Sequence, residues 1–199
     1  SAGQADWPSY HRMLIQVSGI LGLLMYGFIA SWTFGREYSD RTVKDLLALP
    51  VSRYTIVLSK IAAIAVWCGI LSAVLFPLWL MVGKWVALPG WDDAAMANWI
   101  SGYILSAPMI ILLSVPVAFM ASAGRGFLAP LGFVFVTIAL TQIFGVLGHM
   151  NLIPWGIPML ILAAGGFRQA NLGASSYVIY TVTVLAGFIA TFAWWRRHC

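Results

Sequence analysis

The chain has 199 residues, of which 61% are hydrophobic and only 9% are charged. A soluble domain carries about a quarter charged residues, so this composition excludes an ordinary soluble fold and indicates a protein whose solvent is lipid. The net charge of +5 would suit a nucleic-acid binder, but the basic residues lie in short clusters between long uncharged stretches. That distribution is typical of membrane proteins, and we expect no nucleic-acid partner.

A helix that crosses a lipid bilayer needs about 20 mostly apolar residues. Five stretches of the chain meet this requirement, at about 13–35, 61–82, 97–122, 127–148 and 176–195. We therefore predict an all-α integral membrane protein in which residues 1–199 form a single transmembrane domain. The membrane itself is then a partner of the chain.

A further apolar stretch at about 152–166 is short and contains two prolines and three glycines. Proline removes a backbone donor and glycine weakens a helix, so a full span is not expected there. A re-entrant helical hairpin, buried against the rest of the protein, fits better. Trp99 and Trp155 are expected at the outer interface, because indole rings prefer the headgroup level.

The basic residues are distributed unequally between the two sides of these spans. Eight lie on one side (Arg36, Arg41, Lys44, Arg53, Lys60, Arg125, Arg196 and Arg197) and three on the other (Arg12, Lys84 and Arg168). Because cytoplasmic loops are enriched in Lys and Arg, we expect a prokaryotic inner-membrane protein with its C-terminus inside and residue 1 outside. Five spans with an outside N-terminus are unusual, so we expect a six-helix parent that lacks its first helix here; cleavage of a signal sequence is the competing explanation.

The loop between the first two predicted spans differs from an ordinary connector. Its apolar residues recur at helical spacing with charges on the opposite face, which predicts a short amphipathic helix at about 39–49. Ser39 or Asp40 could cap its start, Pro50 would end it, and Ser52 would cap the next span. The pattern alone leaves two interpretations open: a helix lying on the lipid headgroups, or a docking element for a soluble partner.

The same loop carries a recognisable motif, made of FGREY at 34–38, TVKDLL at 42–47, PVSR at 50–53 and then Lys60. This motif resembles the signature loop of type-2 ABC exporter permeases, and most closely that of the bacitracin-resistance type of drug-export permease. That family commonly has Gly-Thr where this chain has Arg41-Thr42. Its six spans and its broken extracellular hairpin before the last span also match the pattern described above.

The resemblance implies that residues 39–49 form a coupling helix seated in a separate ABC ATPase subunit, which would bind ATP and magnesium. Leu46 and Leu47 would be the buried anchors, since interface energy concentrates in a few desolvated side chains. Glu37 would fix the loop by an ion pair with Arg41 or Arg53. The docking residues implied in this way are Glu37, Asp40, Arg41, Thr42, Val43, Asp45, Leu46, Leu47, Pro50 and Arg53.

The resemblance further implies a dimer of two permease copies that exports a hydrophobic or amphipathic compound, such as a drug, a peptide or a lipid-like molecule. The sequence has no Gly-rich loop ending in Gly-Lys-Ser/Thr, so we expect no bound cofactor and no catalysis in this chain. Its His and Cys residues have no metal-binding spacing. Gln16 and Gln142 are costly to bury and are hypothesised to face the translocation path.

An ATP-independent membrane protein, either a secondary carrier or an assembly factor, is the alternative. The predicted spans contain no charged residue well inside the bilayer, whereas ion-coupled carriers usually need such groups as relays or ion sites. This observation disfavours the carrier.

Overall fold

The computed structural model describes residues 6–40, 42 and 50–198, and the regular structure within these ranges is helical, with no strand. The prediction of an all-α protein is therefore confirmed. The elements are α1 (Trp7–Ser39), α2 (Arg53–Trp85), α3 (Asp93–Leu112), α4 (Ser114–Ala123), α5 (Leu128–Val146), a 3-10 helix (Met150–Leu152), α6 (Gly156–Ala164) and α7 (Ala174–His198).

In the part of the chain that the structure describes, five helical segments are long and apolar enough to cross a membrane: α1, α2, α3 together with α4, α5, and α7. Five spanning segments are what the hydropathy pattern predicts, although the helices are longer than the apolar stretches. Helix α2 begins at Arg53, directly after the predicted cap at Ser52, so Lys60 lies about two turns inside the helix.

The third span is broken at Leu113, which separates α3 from α4. Pro116 has no N–H to donate to the carbonyl of Leu112, and α3 ends at that residue. The break therefore has a local cause in the sequence. Helix α4 continues toward the end of the bundle that carries the predicted coupling loop.

Helices α1 and α4 lie in the centre of the bundle, where Ala30, Phe34 and Ala118 are fully buried. Helix α7 packs along α4 so closely that a Cβ atom added at Gly187 would lie 2.7 Å from the ring of Pro116. This close approach places the end of α7 beside the ends of α1 and α2.

The segment 152–166 forms a turn and the short helix α6 rather than a span. Gly165 ends α6 with a φ of 83°, a conformation that favours glycine, and its carbonyl accepts a hydrogen bond of 2.5 Å from the Ser101 hydroxyl on α3. Trp155 packs against Phe133 of α5 at a ring distance of 5.4 Å and lines an interior cavity together with Tyr26. Its predicted place at the outer interface of the membrane stays a prediction.

Candidate functional site

The first end of the predicted coupling loop is formed by the last turn of α1. The helix continues through Ser39, and the Asp40 N–H donates to the Arg36 carbonyl at 2.8 Å. Ser39 therefore belongs to α1 and does not cap a new helix, whereas the cap at Asp40 stays a prediction because most of the residues after it lie outside the described ranges. The carboxylate of Asp40 pairs with Arg36 at 3.1 Å across an exposed turn, and such a pair contributes little to stability.

The middle of the loop lies mostly outside the described residues. These undescribed positions are Arg41 and residues 43–49, which include Val43, Asp45, Leu46 and Leu47. Thr42 is described; it lies in a turn, is exposed, and its N–H donates to the Glu37 carbonyl at 3.0 Å. The coupling helix at 39–49 and its anchors therefore stay predictions.

The second end of the loop is the start of α2. Pro50 is exposed in a bend, and Ser52 caps α2 by accepting a hydrogen bond of 3.1 Å from the Thr55 N–H, as the sequence predicted. The guanidinium of Arg53 donates to the Arg196 carbonyl at 3.0 Å. This bond ties the start of α2 to the last turn of α7.

The two ends are joined by a buried ion pair between Glu37 on α1 and Lys60 on α2. The Lys60 Nζ atom lies 2.6 Å from Glu37 Oε1 and also donates to the Thr33 carbonyl at 2.6 Å. Lys60 is only 8% exposed, and burying an ammonium group without a partner would be very costly. The ion partner of Glu37 is therefore Lys60 and not Arg53 as predicted, while Arg41 is outside the described residues.

Aromatic side chains complete the surroundings of the Lys60 ammonium group. Its Nζ atom lies 5.2 Å from the ring centroid of Phe34 and 5.9 Å from that of Trp195, within the range of cation–π attraction. The indole N–H of Trp195 donates to the Ser122 hydroxyl at 3.0 Å. One cation thus contacts α1 and α7 and lies next to a side chain held by α4.

The Glu37 carboxylate has spare hydrogen-bonding capacity. Its Oε2 atom is buried and has no hydrogen-bond partner among the described residues. A carboxylate can accept about four hydrogen bonds. The ion pair with Lys60 is therefore the main compensation for burying this charge.

Lys60 is the buried residue of this site to which the sequence reasoning gave no role. It was recognised as part of the loop motif and of the basic side, but no role was given to it. The available signal was a lone lysine beside an unbroken apolar stretch on a helix capped at Ser52. A helix that begins at its cap carries residue 60 inward, and a buried lysine needs a carboxylate partner.

The two glutamines are not brought into an enclosed site within the single chain. Gln16 is exposed on α1, and Gln142 is half-buried on α5. An exposed glutamine on a spanning helix faces lipid or another copy of the chain. Their place on a translocation path stays a prediction.

The sequence profile of ABC-2 family transporter proteins matches residues 2–148, a segment that contains the loop and both of its anchoring helices. The chain belongs to this family. It is 24% identical over 179 residues to the bacitracin transport permease protein BCRB of Bacillus licheniformis, which covers 89% of this chain and 85% of that relative. No solved structure matches the chain.

These matches confirm the resemblance stated on the loop motif. In this ABC-2 permease the glutamate and the lysine of that motif, 23 positions apart, form one ion pair. The motif therefore marks a three-dimensional unit, since its two charged ends meet inside the bundle.

Proposed function

We propose that this ABC-2 permease is the membrane subunit of an ATP-driven exporter, and that the predicted coupling helix at 39–49 docks into a separate ATPase subunit. ATP and magnesium would be bound by that partner, and this chain would have no ATPase activity of its own. The observation that carries the proposal is the Glu37–Lys60 ion pair, which joins both ends of the loop inside a chain of this family.

A docking loop can drive transport only if its displacement reaches the membrane spans. Helix α1 is continuous over 33 residues, about 50 Å, and ends directly at the loop. The ion pair connects α1 to α2, and the bond from Arg53 to the Arg196 carbonyl connects α2 to α7. Movement of the loop would therefore be transmitted to three spans together.

The transported compound is proposed to be hydrophobic or amphipathic, and its direction to be outward. The printed name of the relative from Bacillus licheniformis refers to bacitracin transport, so bacitracin is the first compound to test. A second permease copy is part of the proposal. Large apolar side chains such as Trp67, Val74 and Met81 are exposed along α2, and they would face lipid or that second copy.

The docking of the ATPase is tested by co-purification from membranes. Wild-type permease is compared with the double variant Leu46→Asp/Leu47→Asp, which places charge in the predicted anchor. Val51→Asp is the matched control, because Val51 is an exposed apolar residue of the same loop that follows Pro50. Membrane insertion of each variant is verified before the comparison.

We expect wild type and Val51→Asp to retain the ATPase and the double variant to lose most of it, because two buried charges disrupt an interface anchor. The proposal is wrong if the double variant retains the ATPase as well as Val51→Asp does. It is also wrong if wild type never binds an ATPase, in which case the loop is a helix on the lipid headgroups.

A further inference from the structure

At the end of the bundle opposite the loop, a cavity of about 400 Å³ lies between the first turns of α1 and the start of α3. Its lining includes Trp7, His11, Arg12, Asp92 and Trp99. The volume is within the range of small-molecule sites. The cavity shares no residue with the Glu37–Lys60 site.

Two side chains in the wall of this cavity have buried polar atoms without a partner. Trp99 is only 1% exposed, and its indole Nε1 has no hydrogen-bond partner among the described residues. The Nε2 atom of His11 is also buried without a partner there, and the two rings are 4.9 Å apart. Buried donors and acceptors are normally satisfied, so these two adjacent exceptions are unsatisfied polar positions in the cavity wall.

The lining also carries one positive and one negative side chain, and both are exposed. Arg12 donates a hydrogen bond of 3.3 Å to the Ser9 hydroxyl and interacts electrostatically with the Asp6 carboxylate. Most of its five donors have no hydrogen-bond partner within the part of the chain that the structure describes and can serve a ligand. The carboxylate of Asp92 caps α3 by accepting from the Ala94 N–H at 3.1 Å and the Ala95 N–H at 3.3 Å. The two charges cancel, so the cavity favours a ligand that carries both signs.

The position of the cavity in the bundle points to a lipid. Trp7 begins the first spanning helix and packs against Trp91 at a ring distance of 4.8 Å, and Lys84 lies 4.9 Å above the Trp91 ring. Indole rings at the ends of spanning helices lie at the headgroup level of a bilayer. A headgroup that enters the cavity can therefore leave its acyl chains along the apolar surface of the bundle.

We propose that this cavity binds the zwitterionic headgroup of a phospholipid such as phosphatidylethanolamine. Arg12 pairs with the phosphate, for which guanidinium geometry is well suited. Asp92 pairs with the ammonium group. The free N–H of Trp99 donates to a phosphate or ester oxygen.

The proposal is tested by native mass spectrometry of the detergent-solubilised full chain. The probes are dioleoyl-phosphatidylethanolamine and dioleoyl-phosphatidylglycerol, which share their acyl chains and differ in headgroup charge. The test variant is Arg12→Gln/Asp92→Asn. It removes both charges at exposed positions and preserves the α3 cap, since asparagine caps as well as aspartate. The matched control is Arg168→Gln/Asp93→Asn, which makes the same changes at exposed positions that do not line the cavity.

For the first lipid molecule bound, we expect wild type and the control to have a dissociation constant about tenfold lower for phosphatidylethanolamine than for phosphatidylglycerol. One well-placed charged contact, between Asp92 and the ammonium group, accounts for this difference. The test variant should lose this preference, and Trp99→Phe should weaken phosphatidylethanolamine binding about threefold through the lost N–H. The proposal is overturned if wild type binds phosphatidylglycerol equally well or better, or if the test variant behaves like the control.

Discussion

Replacing Lys60 with Met keeps a long unbranched side chain in the core but removes the cation that faces Glu37. At the observed separation of 2.6 Å, two unit charges attract by about 6 kcal/mol at an effective dielectric constant near 20. The cost of taking both ions out of water, several kcal/mol each, offsets most of that attraction. The pair as a whole therefore contributes little to the net free energy of unfolding, although each charge depends on the other.

The single and double variants should therefore differ strongly. Lys60→Met leaves the Glu37 carboxylate with one oxygen newly bare and the other already without a partner, and it should lower the free energy of unfolding by about 3 kcal/mol. Glu37→Gln keeps an acceptor near the ammonium group and should cost about 2 kcal/mol. Lys60→Met/Glu37→Gln removes both charges and should lie within about 1 kcal/mol of wild type.

The measurement is reversible unfolding in mixed micelles, followed by far-ultraviolet circular dichroism, for wild type, both single variants and the double variant. Lys84→Met is the matched control, because Lys84 lies on the same helix but is exposed at its opposite end. The control should lower the free energy of unfolding by at most about 1 kcal/mol, the contribution of its exposed cation–π contact with Trp91. If the double variant is as destabilised as the two single variants added together, the charges are not coupled and the reasoning is refuted.

Two further substitutions test the packing of α6 and α7. Gly102→Ala should lower the free energy of unfolding by about 1–2 kcal/mol, because the added Cβ would lie 2.7 Å from the Leu162 carbonyl oxygen on α6. Gly69→Ala is the control and should be neutral or stabilising, because nothing lies within 4 Å of its added Cβ. Equal effects of the two substitutions would contradict the close packing of α3 on α6. Trp195→Phe should cost about 1–2 kcal/mol in the same unfolding assay, because the buried Ser122 hydroxyl loses its donor at 3.0 Å; an unchanged stability would show that this bond contributes nothing.

The transmembrane class and the number of spans could be predicted from the sequence because both depend on local properties. About 20 apolar residues suffice to identify a spanning helix, whatever it packs against. The cap at Ser52 was predictable for the same reason, since a cap is formed by residues three positions apart. The end of α1 at Ser39 was not predicted, because the first span was taken to end with its apolar stretch near residue 35.

The partner of Glu37 could not be obtained from local pattern. Lys60 is 23 positions away and on another helix, and the contact depends on how α1 packs against α2 and on the Phe34 and Trp195 rings beside the cation. The loop motif contains both residues but gives no information about their distance. A buried charge selects its partner among all nearby groups, and only the packing determines which groups are near.

The sequence by itself determined that this is an integral membrane protein and predicted the number of its spanning helices. Its loop motif also indicated which family it resembles. Composition, hydropathy and motif spacing are read along the chain, and each survives any arrangement of the helices. The tertiary structure packed Trp155 against Phe133, and it brought Arg12, Asp92 and Trp99 to one cavity. Those groups come from segments about 80 residues apart, and they meet because α1 packs beside the start of α3.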